Sequence, residues 1–184
     1  MQPSAVHDAI ARLGATLNAA GLFLATAESC TGGLIASTLT DVPGSSLWFR
    51  GAVVAYANEV KAGLLGVPPE LLAVHGAVSE PVVRAMALGA ARALGAQCAV
   101  AVSGIAGPGG GSADKPVGMV WMAFLVDGAL STRLHRFDGS RHAVKAAAVA
   151  AAVAGLLERL GPGAAEGPCA GARPPAPGAG PGRG

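Results

Sequence analysis

Three short apolar runs constrain the fold of this chain more than any other feature of its sequence. They read LFLATA (residues 22–27), LWFRGAVVAY (residues 47–56) and QCAVAVSG (residues 97–104). Short apolar runs punctuated by glycine are typical of buried β-strands. Between the first two runs lies GGLIASTLTDVPGSS, which predicts a helix ended by a Pro-Gly turn. A strand, a helix and a second strand in this order predict a layered α/β domain.

The rest of the sequence predicts more helices around these strands and a hairpin after them. An apolar spacing of three and four residues from Val6 to Leu17 predicts a first helix. Asp127 and Gly128 occupy the turn position of an apolar hairpin over residues 119–137. The remaining predicted helices cover residues 58–66, 68–76, 80–95 and 140–161.

Composition indicates the number of domains. Of the 184 residues, 52% are hydrophobic, which suits one globular domain with a sizeable core. From residue 161 onward the chain is mainly glycine, proline and alanine, with almost no large apolar side chain. We therefore expect one domain over residues 1–160 and a disordered Gly/Pro/Ala-rich tail over residues 161–184.

Charge and cysteine content argue against several functional classes. The net charge is only +2 and the lysines and arginines form no basic run, so we expect no nucleic-acid partner. No apolar stretch is long enough to cross a membrane and no secretory signal is visible, so we expect a cytoplasmic protein. The three cysteines lie far apart, and no His, Asp and Glu residues have metal-ligand spacing. We expect neither a metal nor a cofactor.

Two polar, glycine-containing segments directly follow predicted strands. TAESCTGG covers residues 26–33, and GIAGPGGGS covers residues 104–112. Ligands in open α/β sheets bind at the carboxyl ends of strands, so the two segments predict a shared cleft. The alternative is that both are ordinary tight turns, in which Ser29 or Thr31 only caps a helix.

Ser29 is the candidate nucleophile of the first segment. Backbone N–H groups at the start of the following helix would point to whatever binds there, which suits an anion or a developing oxyanion. The second segment has five glycines in nine residues and, being nearly free of Cβ atoms, can fold around an anion. Because it matches neither a Walker A loop nor a dinucleotide fingerprint, an anion site and a mobile surface loop both stay open.

A base for this serine has two candidates. Lys61, one of three lysines, lies with Tyr56 in YANEVK just after the second predicted strand. A desolvated lysine can act as a general base, and a tyrosine hydroxyl can relay a proton. Histidine is the usual base beside a serine, so His75 competes with Lys61.

Four separated segments together resemble the CinA C-terminal domain family, the nicotinamide-nucleotide amidohydrolases. They read ATAESCTGGLIASTLTDVPGSS, GAVVAYANEVKAGLLGV, HGAVSEPVV and AVAVSGIAGPGGGSADKPVGMVW, in matching order between about residues 5 and 160. The resemblance implies a single three-layer α/β/α domain with a mixed sheet. It also implies hydrolysis of nicotinamide mononucleotide to nicotinic acid mononucleotide and ammonia, a step in pyridine-nucleotide salvage. A homodimer is expected from the same resemblance.

The resemblance gives roles to individual residues. Ser29 matches the nucleophile proposed for the family, Lys61 its base, and Tyr56 an assisting residue. Glu28 is expected either to bind the ribose diol or to orient Lys61. We expect the N–H groups of three further residues to hold the oxyanion, namely Thr31, Gly32 and Gly33.

The phosphate of the substrate is expected to meet the glycine-rich loop, helped by Lys115 or Arg141. The loop residues expected to bind it are Ser103, Gly104, Gly107, Gly109, Gly110, Gly111 and Ser112. Two other functions stay open: a nucleotide-binding module without turnover, and a serine amidase or esterase that acts on a different substrate.

Overall fold

The computed structural model describes residues 3–161, and they form a five-stranded sheet with six α-helices around it. None of these helices is long and apolar enough to cross a bilayer. The predicted tail lies outside the described residues except for Gly161. The strands are β1 (Leu24–Glu28), β2 (Phe49–Val54), β3 (Cys98–Gly104), β4 (Met119–Val126) and β5 (Ala129–Arg136), and the helices are α1 (Pro3–Ala20), α2 (Leu34–Thr40), α3 (Asn58–Leu65), α4 (Pro69–His75), α5 (Glu80–Leu94) and α6 (Arg141–Leu160).

The sheet is mixed, with strand order β2-β1-β3-β4-β5. β1 pairs in parallel with both β2 and β3, whereas β4 runs antiparallel to its neighbours β3 and β5. β5 therefore points in the same direction as β1, β2 and β3. The segments that follow these four strands all leave the sheet at one edge, and we call it the carboxyl edge.

Helices cover both faces of the sheet, which confirms the expected α/β fold and its three layers. On one face, α1, α2 and α6 pack on large side chains of the strands such as Leu24, Val100 and Phe124. On the other face, α3, α4 and α5 pack on small side chains such as Ala25 and Ala99. Because neighbouring residues of a strand point to opposite faces, strands β1 to β4 contribute to both cores. The alanine-rich face lets α5 approach the sheet closely.

The β4–β5 hairpin has the turn that its sequence predicts. Asp127 has φ 45° and Gly128 has φ 87°, so both residues lie in the left-handed region. A two-residue turn of this kind matches the twist of the strands that it joins. The turn lies at the edge of the sheet opposite the carboxyl edge.

Candidate functional site

A cavity of about 220 Å³ opens at the carboxyl edge of the sheet. It lies where β1, β2, β3 and the segment after β5 come together, so it is the shared cleft that the sequence predicts. Its lining is formed by Ser29, Cys30, Tyr56, Gly104, Ile105, Ala106, Gly107, Gly109, Gly110 and Arg141.

Ser29 and Lys61 meet beside this cavity. The Lys61 Nζ lies 3.2 Å from the Ser29 Oγ, 2.8 Å from the Ala55 carbonyl oxygen and 3.0 Å from the Tyr56 carbonyl oxygen. A neutral amine has two N–H bonds for the two carbonyl groups and one lone pair for the serine hydroxyl. The three neighbours of Nζ therefore suit a lysine that accepts the Ser29 proton.

The backbone around this pair extends the sheet beyond the ends of its strands. The Ser29 N–H donates to the Val102 carbonyl at 3.0 Å, and the Ala55 N–H donates to the Glu28 carbonyl at 2.8 Å. Ser29 and Ala55 are thereby fixed to neighbouring strands. α3 begins directly after Ala57 and brings Lys61 back over Ala55.

Lys61 is buried, with 1% of its surface exposed. Removal from water disfavours the charged amine, so burial lowers the pKa of Lys61 below its ordinary value. His75, the competing base of the sequence prediction, is exposed at the end of α4 and does not line the cavity. The geometry favours Lys61.

Tyr56 and Arg141 stand together at the mouth of the cavity. One guanidinium nitrogen of Arg141 donates to the Gly107 carbonyl oxygen at 2.9 Å, and another donates to the Tyr56 hydroxyl at 3.2 Å. Arg141 thus joins the first turn of α6 to the glycine-rich loop and to the segment after β2. Tyr56 is 63% exposed, so it lines the cavity from the surface of the protein.

Glu28 does not face the cavity, which differs from both roles expected for it. Its carboxylate is fully buried. It accepts hydrogen bonds from the backbone N–H groups of Gly33, Ile35 and Ala36 at 2.8–3.0 Å and from the Thr31 hydroxyl at 2.7 Å. A carboxylate in this position accepts hydrogen bonds from the free N–H groups at the start of α2. Its negative charge also interacts favourably with the positive end of the helix dipole. Glu28 therefore holds the loop that carries Ser29.

Two of the three N–H groups expected at the oxyanion are already used. The Gly32 N–H donates to the Ser29 carbonyl at 3.1 Å, and the Gly33 N–H donates to Glu28 at 3.0 Å. Both glycines have positive φ, of 64° and 92°, because the chain turns sharply from β1 into α2. Only Thr31 of the expected three keeps an N–H group that no backbone or carboxylate acceptor takes among residues 3–161.

The glycine-rich loop is divided between the cavity and other contacts. Gly104, Gly107, Gly109 and Gly110 line the cavity, as expected. Ser103, Gly111 and Ser112 do not. The Ser103 hydroxyl donates to the Ala77 carbonyl at 2.8 Å, and the Ser112 hydroxyl accepts from the Lys115 N–H at 3.1 Å. Gly111 packs against the backbone of Val117, where an added Cβ would lie 2.9 Å from the Val117 nitrogen.

Lys115, one of two cations expected near the phosphate, points elsewhere. Its ammonium group donates to the His75 carbonyl oxygen at 2.7 Å. The contact ties the loop before β4 to the end of α4. Arg141, the other expected cation, does line the cavity.

The family model described as the CinA C-terminal domain matches residues 6–160. The chain belongs to the CinA C-terminal domain family. Nicotinamide-nucleotide amidohydrolase PncC of Escherichia coli K12 is 51% identical over 150 residues, which cover 81% of this chain and 91% of that protein.

Longer and structurally characterised members of the CinA family are also similar. A CinA-like protein of Mycobacterium marinum is 54% identical over 143 residues, which cover 77% of this chain and 32% of that protein. The crystal structure of competence damage-inducible protein A from Klebsiella pneumoniae MGH 78578 has a TM-score of 0.83 at 40% identity. That match covers 86% of this chain and 98% of the other.

Two residues near the nucleophile loop of this CinA domain were not among the expected site residues. Cys30 lines the cavity, and burial raises the pKa of its thiol to about 11, so it is a buried thiol rather than a second nucleophile. The Lys145 ammonium lies 3.6 Å from where a Cβ on Gly32 would be. Its position one helical turn after Arg141 is the signal that could have identified it.

Residues 3–161 contain no group of three His, Cys, Asp or Glu side chains arranged to hold a metal ion. The groups available for chemistry are the Ser29 hydroxyl in the cavity wall, the buried Lys61 amine beside it and the Arg141 guanidinium at the entrance.

Proposed function

We propose that this CinA domain is an amidohydrolase that converts nicotinamide mononucleotide to nicotinic acid mononucleotide and ammonia in pyridine-nucleotide salvage. The 3.2 Å contact between the Ser29 hydroxyl and the buried amine of Lys61, at the wall of an open cavity, carries this proposal. The name of the Escherichia coli relative, which matches over nearly its whole length, supports the substrate.

Lys61 acts as the general base in this proposal. Burial lowers the pKa of Lys61 and so favours its neutral form. The lone pair of the neutral amine accepts the Ser29 proton while its two N–H groups stay hydrogen-bonded to the Ala55 and Tyr56 carbonyl oxygens. The Ser29 oxygen attacks the carboxamide carbon to give a tetrahedral intermediate. The positive pyridinium ring withdraws electrons from this carbon and makes it easier to attack.

Release of ammonia requires an oxyanion site and a proton. The N–H group of Thr31, which remains from the three expected, and that of Cys30, which follows the nucleophile, are suited to the oxyanion. The proton that Lys61 took from Ser29 passes to the departing nitrogen, which leaves as ammonia and returns Lys61 to its neutral form. The Tyr56 hydroxyl, which accepts a hydrogen bond from Arg141, relays this proton. Water then attacks the acyl-enzyme, with Lys61 again as base, and the nicotinic acid product leaves.

The phosphate of the substrate is proposed to bind between the glycine-rich loop and α6. Gly107, Gly109 and Gly110 bring backbone close to the cavity, and Arg141 supplies a positive charge at its wall. Lys145, rather than Lys115, is the second cation on this side, because it follows Arg141 by one helical turn and approaches Gly32. A phosphate dianion would bind more strongly to two such cations than to one.

The test is turnover of nicotinamide mononucleotide with ammonia and nicotinic acid mononucleotide measured together. We expect both products in equal amounts from the wild type, none from Ser29→Ala, and unchanged turnover from Ser46→Ala, an exposed serine far along the chain from the nucleophile. Turnover by Ser29→Ala at the wild-type rate would refute the nucleophile assignment.

The same preparation separates the two other functions. A binding module without turnover would raise its melting temperature with the nucleotide and release no ammonia. A serine amidase of different specificity would hydrolyse a simple amide without phosphate as fast as the nucleotide. Either result would replace the proposed reaction.

The proposal also covers the extent of the catalytic domain, the oligomeric state and the location in the cell. Residues 1–160 form the catalytic domain, which fits the family match over residues 6–160, and a chain ending at residue 161 should keep full turnover. The assembly is a homodimer, which light scattering on the purified protein would test by mass. The protein acts in the cytoplasm, which cell fractionation would test.

A further inference from the structure

The helix that carries Lys61 is packed against α5. Lys61 and Leu65 lie one turn apart on α3, and both are buried. α3 has only eight residues, so a shift of its last turn moves the whole helix. The position of the amine relative to Ser29 therefore depends on how α3 sits on α5.

Gly89 of α5 allows this packing to be unusually close. A Cβ atom on Gly89 would overlap the Leu65 carbonyl oxygen and would lie 2.8 Å from its carbonyl carbon and 2.9 Å from its Cα. These are backbone atoms, which cannot turn aside as a side chain can. Any residue larger than glycine at position 89 would have to move α3 away from α5.

Arg92, one turn further along α5, holds the same end of α3. Its guanidinium donates to the Leu65 carbonyl oxygen at 3.3 Å. It also approaches Gly66, the left-handed residue that ends α3 and whose N–H group reaches the carbonyl oxygens of Ala62 and Lys61. The last turn of a helix lacks internal partners for its carbonyl groups, so Arg92 satisfies one of them.

We propose that Gly89 and Arg92 are positioning residues that set the distance between the Lys61 amine and the Ser29 hydroxyl. This inference rests on the proposed function of the Ser29–Lys61 pair. The Nζ to Oγ distance of 3.2 Å is near the upper end for a hydrogen bond. A displacement of α3 by about 1 Å would break it, and an error of that size can lower the rate about 100-fold. No residue of α5 lines the cavity, so substrate binding is spared.

The test compares Gly89→Ala with Gly63→Ala in the full chain. Gly63 lies on α3 itself, and a Cβ there would meet nothing within 4 Å, so this control adds the same methyl group without a clash. We expect kcat for nicotinamide mononucleotide to fall about 100-fold in Gly89→Ala with KM unchanged. Gly63→Ala should keep both constants.

Lysine labelled with carbon-13 at Cε gives a second readout that needs no substrate. The chain has three lysines, so Lys61, Lys115 and Lys145 give three signals that single Lys→Arg variants assign. A Lys61 amine moved out of its buried position regains water, so its pKa should rise in Gly89→Ala and not in Gly63→Ala. A loss of folding stability alone would lower the active fraction without moving this titration.

A folded Gly89→Ala protein with wild-type kcat and an unmoved Lys61 titration would overturn the inference. If Gly89→Ala does not fold, Arg92→Met decides: a lower kcat restored by Arg92→Lys supports the positioning role, and an unchanged kcat in Arg92→Met overturns it. If the wild type releases no ammonia, the proposed function fails, and the lysine titration alone decides the positioning role.

Discussion

Replacing Glu28 by glutamine tests whether this carboxylate anchors the nucleophile loop or binds substrate. Its Oε2 accepts from the Thr31 hydroxyl and from the N–H groups of Gly33 and Ile35. Its Oε1 accepts from the Ala36 N–H at 2.8 Å and, more weakly, from the Thr26 hydroxyl at 3.4 Å. Glutamine can place its single oxygen on the side with three donors. Its NH₂ group then faces the Ala36 N–H, so two donors oppose each other.

The expected cost follows from these contacts. Losing the hydrogen bond from Ala36 to a charged acceptor costs about 1.5–3 kcal/mol. Losing the negative charge at the start of α2 costs about 0.3–1 kcal/mol more. Because a neutral amide is easier to bury than a carboxylate, part of this is offset, and we expect Glu28→Gln to lower the free energy of unfolding by about 2–3 kcal/mol. That is a large share of the roughly 5–15 kcal/mol of an ordinary domain.

Urea unfolding followed by circular dichroism measures this free energy. The control is Glu59→Gln, which removes an exposed carboxylate from the first turn of α3 and should cost less than about 1 kcal/mol. A loss below about 1 kcal/mol in Glu28→Gln, equal to the control, would refute the anchoring role. If Glu28→Gln kept wild-type stability and had a raised KM, Glu28 would instead have a role in substrate binding.

Three further predictions concern the base, the thiols and a tight turn. Because Lys61 must be neutral to accept a proton and burial lowers its pKa, kcat/KM should rise with pH through an apparent pKa below the usual value near 10.4, as a pH–rate profile would measure. Burial raises the pKa of Cys30 and Cys98 to about 11, so mass spectrometry should find both unmodified after iodoacetamide at neutral pH; rapid labelling would contradict this. Gly118→Ala should cost more unfolding free energy than Gly128→Ala, because both have positive φ but only a Cβ at 118 would strike neighbouring backbone; equal urea midpoints would contradict it.

Local patterns were sufficient for most elements and for the α/β class, whereas the three layers and the mixed sheet came from the family resemblance. Strands β1 to β4 contain short apolar runs, and the turn at Asp127 and Gly128 uses residues that adopt positive φ. The sequence shows that the chain is rich in alanine, but it does not show that alanines are concentrated on one face of the sheet. The consequence of that arrangement, the close packing of α5 through Gly89, depends on residues far apart in the chain, and no local pattern contains that contact.

The kinds of reactive group in the site were predictable from the sequence, but the hydrogen-bond partners of Glu28 and Ser103 were not. The residues alone suggested Ser29 as nucleophile and left the base open between Lys61 and His75. The family resemblance selected Lys61, which the structure places against Ser29. A carboxylate beside a nucleophile suggests a role in substrate binding or catalysis, but the hydrogen-bond partners of Glu28 extend to Ala36, eight residues on, which no local sequence pattern reveals. Ser103 was expected to bind phosphate, but alternation along β3 turns its side chain to the other face of the sheet, where its hydroxyl donates to the Ala77 carbonyl oxygen.

The direction of the strands explains why these particular residues meet. β1, β2 and β3 are parallel, so Ser29 and Tyr56, which follow β1 and β2, and Gly104, which ends β3, all lie at the carboxyl edge. β4 crosses the sheet in the opposite direction and β5 returns, which brings Arg141 to the same edge. Without β4, β5 would pair with β3 and, if antiparallel to it, would carry Arg141 to the opposite edge. The antiparallel hairpin therefore matters for the site, because it places Arg141 of α6 beside the residues that end or follow β1, β2 and β3.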